Sequence, residues 1–211
     1  MTPPETPVLS NGEMRRTVEV ARGGSRWFGP TGLSGPARTD LPANTTVHTL
    51  LGAIRNIGRI YCSVISPPNP QRGLPSAAAK VVFFDQNAAQ LFWDRYGRGG
   101  RQQLPFVVDN VEAIVHRNRV RVEAQNYRRC SRVLCVSGRE TLIDVNALVQ
   151  EFQESFCSEM DQILVRPAEG PDGILIVEFH FGSFRCQSQT GYRLLHGREG
   201  FDVWFGRDPC E

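Results

Sequence analysis

Hydrophobic and polar positions along the chain alternate in segments that predict helices and strands in a regular order. Apolar residues spaced three and four apart indicate a helix face, whereas runs of β-branched and aromatic residues bounded by Pro or Gly indicate strands. The first group of predicted elements is a helix from Thr46 to Gly58, strands at 59–65 and 78–84, a helix after Asp85 and a strand at 111–115. This order is what remains of a βαββαβ unit when its first strand is removed.

A second group of elements repeats this order in the remaining part of the chain. It consists of a strand at 132–136, a helix at 145–156, strands at 163–166 and 174–181, a helix at 183–195 and a closing strand at 201–205. The repeat is structural, with little residue identity between the copies. We therefore predict an α+β protein with two ferredoxin-like βαββαβ domains in tandem.

The first strand of the first copy is the least obvious element. Residues 35–39 contain a proline and do not alternate in the way a central strand requires. Residues 17–21 alternate well, so we predict that they form this strand and that residues 22–39, rich in Gly, Pro, Ser and Arg, are an inserted loop.

The predicted boundaries follow from these elements. We expect a disordered N-terminus at 1–13, a first domain at 14–124, an Arg-rich linker at 125–130 and a second, degenerate domain at 131–211.

Charge divides the chain in the same way. Residues 1–132 hold 18 Lys and Arg against 9 Asp and Glu, whereas residues 133–211 hold 6 against 13. Lys80 is the only lysine, so the positive surface consists of arginine, which pairs with phosphates and stacks on bases. Two modules with different partners, or two modules that attract one another, would both explain the asymmetry.

Several short motifs resemble the RNA recognition motif (RRM) family. They are Asp40-Leu41-Pro42 before the first helix, Gly58-Arg59-Ile60 after it, and Lys80-Val81-Val82-Phe83-Phe84-Asp85 followed by Ala88-Ala89. The second copy resembles the family more weakly, and the whole arrangement is similar to fungal proteins with tandem degenerate RRM domains. The resemblance implies single-stranded RNA laid across a four-stranded sheet and stacked on its aromatic side chains.

The resemblance also implies where RNA would touch the first domain. It places the two stacking positions of the third strand at Ala78 and Lys80, neither of which is aromatic, with Val82 further along that strand. Tyr61 is the one clear aromatic expected on the same open face; a tyrosine on an ordinary half-buried strand is the alternative. Because stacking is worth about 1–3 kcal/mol per base, the first sheet alone should bind weakly.

The segment after the last strand of the first domain is strongly basic. In the family such a segment crosses the sheet and touches RNA, so the candidate contacts here are His116, Arg117, Asn118, Arg119 and Arg121. Arg128, Arg129 and Arg132 continue the run. A linker that docks on the acidic second domain is the alternative.

In the second domain the stacking positions hold Ile174 and Ile176, with Cys135 on the first strand. Aliphatic side chains exposed in a cluster tend to be covered by a partner. We therefore expect an RNA-binding protein of low sequence specificity that acts through the first domain and the basic segment, or else a pair of degenerate RRM domains whose second sheet binds protein.

The sequence shows no motif typical of an enzyme, and the four histidines are scattered. The six cysteines include no C-x-x-C pair, so we expect no metal site and no cofactor. Two R-G-G tripeptides, at 22–24 and 98–100, fit turns beside solvated arginines. With no apolar run long enough to span a bilayer and no secretory signal, we expect an intracellular protein of the nucleus or cytoplasm.

Overall fold

A computed structural model describes residues 14–15, 18–20, 41–72, 74–117, 122–123, 127, 129–167 and 173–211, the first two of these ranges, residue 72 and residues 122–123 as backbone only. The strands are β1 Met14–Arg15, β2 Val18–Val20, β3 Ile60–Ser66, β4 Ala78–Phe83, β5 Phe106–Val108, β6 Val111–Ala113, β7 Val115–Arg117, β8 Val122–Glu123, β9 Val133–Arg139, β10 Met160–Pro167, β11 Ile174–Phe181 and β12 Asp202–Phe205. The helices are α1 Val47–Gly52, α2 Gln86–Tyr96, α3 Val145–Ser155 and α4 Gln189–Leu195.

The first domain is a βαββαβ unit whose four-stranded antiparallel sheet has the order β3-β4-β2-β7. Strand β2 lies in the middle and pairs with both β4 and β7. This confirms the predicted first strand at 17–21. The predicted N-terminal segment 1–13 and inserted loop 22–39 lie outside the described residues, and the predicted linker at 125–130 is described only at residues 127, 129 and 130.

The second domain repeats this topology with the sheet order β10-β11-β9-β12. In each sheet the first and third strands of the unit are central and the second strand forms an edge, which is the arrangement of the ferredoxin-like βαββαβ fold. The predicted fold class, two such units in tandem, is confirmed.

Side-chain caps explain why three helices begin where they do. The hydroxyl of Thr46 accepts a hydrogen bond from the Thr49 N–H, and the Thr49 hydroxyl accepts one from the Thr46 N–H. Asp85 and Asp144 accept hydrogen bonds from the N–H groups of the third residue of α2 and α3. Each carboxylate satisfies a donor that the first helical turn would leave unpaired.

Three local elements differ from the sequence prediction. The helix expected from Thr46 to Gly58 ends already at Gly52, with Ala53 as its C-cap. The strand expected at 111–115 is divided between two strands, β6 and β7. Strand β6 pairs with β5 in a hairpin, and Asp109 and Asn110 have positive φ in its turn. The helix expected at 183–195 starts only at Gln189, because the backbone at Arg185 and Cys186 is non-helical. Residues 184–188 instead form an irregular turn, which is called the wound turn below.

Each domain has its own apolar core, and a third apolar cluster, called the joint below, lies between the two domains. The joint consists of Tyr61, Val82 and Phe84 from the first domain and Phe184 from the wound turn, with partly buried Cys62, Tyr127, Cys130 and Phe205 around them. Phe184 lies 5.1 Å from Phe84 and 6.0 Å from Tyr61 between ring centroids. The second domain therefore packs on the outer face of the first sheet.

Hydrogen bonds along the edge strand β3 strengthen this joint. The Ser63 N–H donates to Ser183 Oγ at 2.8 Å, and the Ser63 hydroxyl donates to the carbonyl of Gly182 at 2.7 Å. The Ile60 N–H donates to Asp208 Oδ2 at 2.7 Å. An edge strand that would expose unpaired backbone groups is thus partly covered by the second domain.

Candidate nucleic-acid interface

The register of the first sheet decides which side chains lie on its outer face. Val64 is paired with Lys80, which is also paired with Glu19 of β2, and Glu19 is paired with His116. These four register positions form a row across all strands of the sheet. Lys80 and His116 are half-buried and Val64 is 48% exposed, so these three positions of the row are accessible.

Tyr61 does not lie on an open face, and its expected exposure is wrong. Tyr61 is 6% exposed. Its ring packs against that of Phe84 in a T-shaped arrangement, with the centroids 5.4 Å apart, and lies 6.0 Å from the ring of Phe184. Val82 is buried in the same cluster. The physical reason is a contact between domains: the wound turn inserts Phe184 over this part of the sheet, where a base would otherwise stack.

Ala78 and Lys80 are both half-buried on the outer face, at the end of β4 away from Phe184. What remains open on the first sheet is therefore a small sector around Ala78, Lys80, Val64 and His116. It offers one amine and one imidazole but no aromatic ring.

Arg117 lies at the end of β7, and its side chain lies on the helix side of the sheet. Its guanidinium carbon is 4.9 Å from the ring centroid of Trp93, and Nη2 donates to Gln90 Oε1 at 3.1 Å. The other predicted contacts of this segment, Asn118, Arg119 and Arg121, lie outside the described residues.

Arg132, which continues the basic run in the sequence, is not a surface residue. It is 0% exposed and forms ion pairs with Asp161 at 2.8 Å and Asp208 at 3.0 Å. Burial lowers the pKa of Arg132, but the neighbouring carboxylates, Asp208 foremost, raise it by more than burial lowers it. The pKa of Arg132 is therefore higher than usual. Its charge is used to hold the fold together, and the expectation that it extends the basic surface is wrong.

The outer face of the second sheet carries a groove with a volume of about 710 Å³. One row across its floor consists of Leu164, Glu178, Cys135 and Trp204, which the register pairs in this order. The rest of the lining comprises Gln162, Arg166, Ile176, His180 and residues of the C-terminal segment 206–211.

Trp204 is the accessible aromatic of this groove. It lies on the edge strand β12 opposite Cys135, and 40% of its side chain is exposed. Its neighbours Val203 and Phe205 point to the other side and pack on the core of the domain. The alternation of β12 thus presents one indole to the groove.

A chain of hydrogen bonds runs along the opposite side of the groove. Gln162 Nε2 lies 3.2 Å from His180 Nδ1, His180 Nε2 lies 3.0 Å from Glu178 Oε2, and Arg166 Nη2 lies 3.1 Å from Glu178 Oε1. Arg166 is largely exposed and keeps donors free for a ligand. These groups can donate and accept hydrogen bonds at fixed positions beside the indole.

Cys135 lies on the floor between these two sides. Burial, and secondly the charge of Glu178, raise the pKa of its thiol to about 11. The thiol is therefore neutral at physiological pH and contributes an apolar surface rather than a nucleophile.

Ile176 and Cys135 lie on this face, as predicted from the sequence, whereas Trp204 and the C-terminal segment were not predicted to lie there. Alternation within residues 201–205 was the available signal for Trp204, because Val203 and Phe205 are apolar and the tryptophan lies between them. Nothing in the sequence indicates that the segment after β12 turns along the groove.

The comparisons with known proteins concern the fold alone. No protein-family model and no curated protein matches the sequence. Among solved structures, the N-terminal three RNA-binding domains of the yeast splicing factor Prp24 are 12% identical over 90% of this chain, with a TM-score of 0.34, and this chain spans 64% of that one. The first two RRM domains of yeast poly(U)-binding protein Pub1 are 13% identical over 91% of this chain and 100% of that one, with a TM-score of 0.34.

A third similar structure, the Sxl-lethal protein in complex with RNA, is 16% identical over 90% of this chain and 98% of that one, with a TM-score of 0.29. The resemblance to RRM proteins is one of structure. TM-scores this low carry no functional argument, so the candidate interface rests on its own geometry.

Two further observations concern the described part of the chain. No helix there reaches the length and apolar character needed to span a bilayer. Within the same residues, no three His, Cys, Asp or Glu side chains are grouped as metal ligands.

Proposed function

We propose that this protein binds single-stranded RNA, and that the open face of the second sheet is where bases stack. The observation that carries the proposal is Trp204, an exposed indole in the floor of a groove that also contains the donors of Arg166 and Gln162. Every base has a π face, so one ring supports binding with low sequence preference.

The polar side of the groove supplies the second part of the mechanism. A base stacked on Trp204 has its edge directed across the sheet, where Arg166 and Gln162 can hydrogen-bond to base edges or to the sugar-phosphate backbone. Glu178 holds Arg166 and His180 in place through both carboxylate oxygens. The groove is thus preorganised, which lowers the entropic cost of binding.

The first domain contributes charge in this proposal. Its accessible sector at Ala78, Lys80 and His116, together with Asn118, Arg119 and Arg121 of the basic segment, would contact the RNA backbone and steer it by long-range attraction. Tyr61 and Val82 take no part while the two domains stay joined. The part of the first domain proposed to contact RNA is therefore smaller than the sequence predicted, because Tyr61 and Val82 are buried between the domains.

Substitution of Trp204 tests the proposal. We expect Trp204→Ala to weaken binding of a short fluorescein-labelled oligouridine by about 1–3 kcal/mol, roughly five- to hundredfold, because one stacked base loses its ring. Fluorescence anisotropy at low salt measures the affinity. The matched control is Leu142→Ala, which removes an exposed apolar side chain of the same domain that does not line the groove. Equal affinities of the wild type and Trp204→Ala would refute base stacking at this site.

The alternative function, binding of a protein partner on the second sheet, has its own observation in favour. Leu164, Ile176 and Trp204 give the groove an apolar strip. Such a strip is typical of protein-binding surfaces. Absence of RNA binding at low salt would favour this alternative over RNA.

A further inference from the structure

Four arginines lie at the C-terminal end of α2, in the loop after it and at the end of β7, away from the outer faces of both sheets. They are Arg95, Arg98, Arg101 and Arg117 and are called the arginine ridge below. We propose that the arginine ridge is a second RNA-contacting surface, which binds phosphate groups of the RNA backbone and reads no bases. The inference rests on the proposed RNA binding and assigns the RNA backbone to a surface separate from the groove of the second domain.

Backbone hydrogen bonds bring the ridge together. The Arg98 N–H donates to the carbonyl of Val115 at 3.2 Å, which ties the loop after α2 to strand β7. Further along the same loop, the Leu104 N–H donates to the carbonyl of Arg95 at 2.8 Å. The loop therefore wraps the C-terminal end of α2 and lies against the strand that ends at Arg117.

The side chain of Arg117 is fixed in an orientation suited to a ligand on the helix side. Its guanidinium lies over Trp93, and one nitrogen donates to the neutral amide oxygen of Gln90. Stacking on an indole holds the plane of a guanidinium without neutralising it. The remaining N–H groups can donate to phosphate oxygens in a fork geometry.

The charge of the ridge is largely uncompensated. Asp94 is the one carboxylate that pairs with it among the described residues, at 3.9 Å from Arg101 Nε, and that arginine is 87% exposed. Within the same part of the chain no ion pair reaches Arg98 or Arg117. The ridge thus carries four arginines and one paired carboxylate, and this excess of positive charge gives a local positive potential that attracts a polyanion.

The same features favour phosphate over bases. The two rings that the ridge contacts are not open stacking platforms: Trp93 is covered on one side by Arg117, and Tyr96, below Arg95, packs against Phe92 and Phe106. Contacts of guanidinium groups with phosphates are strong and independent of sequence. Bases would then be bound by the groove of the second domain, and the backbone of a longer strand by the ridge.

The salt dependence of binding tests this assignment. Each neutralised phosphate of a single strand contributes about −0.7 to the slope of log K against log salt, so replacing Arg98, Arg101 and Arg117 by alanine should reduce the slope by about 2. Between about 50 and 200 mM salt, the affinity of the wild type for oligouridine should then fall about twentyfold more than that of the triple variant.

Two further variants separate phosphate contacts from fold and from net charge. Replacing the same three arginines by lysine keeps the charges and should restore most of the slope. Replacing Arg55, Arg193 and Arg198 by alanine removes equal charge from elsewhere and should leave the slope nearly unchanged. Far-ultraviolet circular dichroism checks that each variant is folded.

The outcomes distinguish this inference from the proposed function. If Trp204→Ala weakens binding but the triple alanine variant keeps the wild-type slope, the ridge is not a phosphate surface and RNA binding stands. If the wild type binds no oligouridine at low salt, both proposals are overturned. Retention of the wild type on phosphatidylserine vesicles in place of RNA, lost in the triple variant, would assign the ridge to membranes instead.

Discussion

At the residue scale, the most consequential side chain is Arg132. It is buried where the two domains meet and donates to Asp161, to Asp208 and to the carbonyl of Phe181. Asp208 in turn accepts from the Ile60 N–H of the first domain. One guanidinium thus connects the second sheet, the C-terminal segment and an edge strand of the other domain.

Removing this charge should be costly. We expect Arg132→Met to reduce the free energy of unfolding by about 3–5 kcal/mol, because two buried carboxylates lose their counter-charge while the volume is kept. Urea unfolding followed by circular dichroism measures this. The control is Arg198→Ala, which breaks the partly exposed pair with Glu151 and should cost less than about 1 kcal/mol. A loss below 1 kcal/mol for Arg132→Met would contradict a structural role for the buried pair.

The cysteines differ strongly in their surroundings, and their reactivity should follow. Cys157 and Cys186 are exposed, whereas burial raises the pKa of Cys135 to about 11 and that of Cys210 to about 12. We expect Cys157 and Cys186 to react first with Ellman's reagent near pH 8, and Cys135 and Cys210 to react only on unfolding, because the thiolate is the reactive form. Replacing Cys157 and Cys186 by serine should abolish the fast phase; fast reaction of Cys210 in the folded chain would contradict its burial.

The same pKa shifts predict how stability depends on pH. In the unfolded chain a thiol ionises near 9.0, whereas the folded chain keeps Cys135 and Cys210 protonated to higher pH. Between these values the folded state binds more protons than the unfolded state, so stability is full below about pH 9 and falls as the pH rises towards 11 and 12.

At the element scale, the wound turn 184–188 decides which surface of the first domain is available. It follows β11 and inserts Phe184 between Tyr61, Phe84 and Phe205. The turn is held by Ser188, whose hydroxyl donates to the carbonyl of Ser131 at 2.7 Å, and by Ser183, whose hydroxyl donates to the carbonyl of Ser63 on strand β3 at 3.0 Å. This short turn therefore covers Tyr61 and Phe84 on the outer face of the first sheet, a face that the resemblance to the RRM family predicted to be open.

Truncating Phe184 tests this joint. We expect Phe184→Ala to lower the free energy of unfolding by about 3–5 kcal/mol, because the loss of a buried ring in contact with four others leaves a cavity. Urea unfolding of Leu142→Ala, an exposed position, is the comparison and should differ from the wild type by no more than about 0.5 kcal/mol. A value for Phe184→Ala as small as this would mean that the two domains do not depend on the contact.

The sequence was informative about elements and less so about contacts between them. The periodicity around Leu50 and Phe152 and the β-branched and aromatic runs bounded by Pro or Gly are local signals, and they located most helices and strands. The burial of Tyr61 could not be predicted, because it depends on Phe184, which is more than a hundred residues away in the chain. The exposure of Trp204 was readable from alternation but had no motif to mark it.

At the scale of the whole molecule, the division of charge along the sequence has a structural counterpart. The basic first domain supplies Arg59, which donates to the carbonyls of Tyr127 and Cys130, while the acidic second domain supplies Asp161 and Asp208 at the joint. His48 of α1 also contacts Asp161, at 2.7 Å. Arg59 contacts main-chain carbonyls, and Asp161 and Asp208 form their ion pairs with Arg132 of their own domain, so both explanations for the charge asymmetry stay predictions.

The joint also determines how RNA can be distributed over the molecule. The first sheet keeps only a small open sector, the second sheet keeps its groove, and the arginine ridge lies on the far side of the first domain. A strand that uses all three surfaces would contact both domains without separating them. This distribution is the central claim of the proposed function.

Chemical-shift mapping of the nitrogen-labelled full chain with a short oligouridine tests that claim most directly. We predict that backbone amide signals at 162–166, 174–178 and 202–207 shift on titration, while those of Tyr61, Val82 and Phe84 stay in place because the joint remains closed. Large shifts at Tyr61, Val82 and Phe84 with none around Trp204 would contradict the account, since RNA would then open the joint and occupy the first sheet.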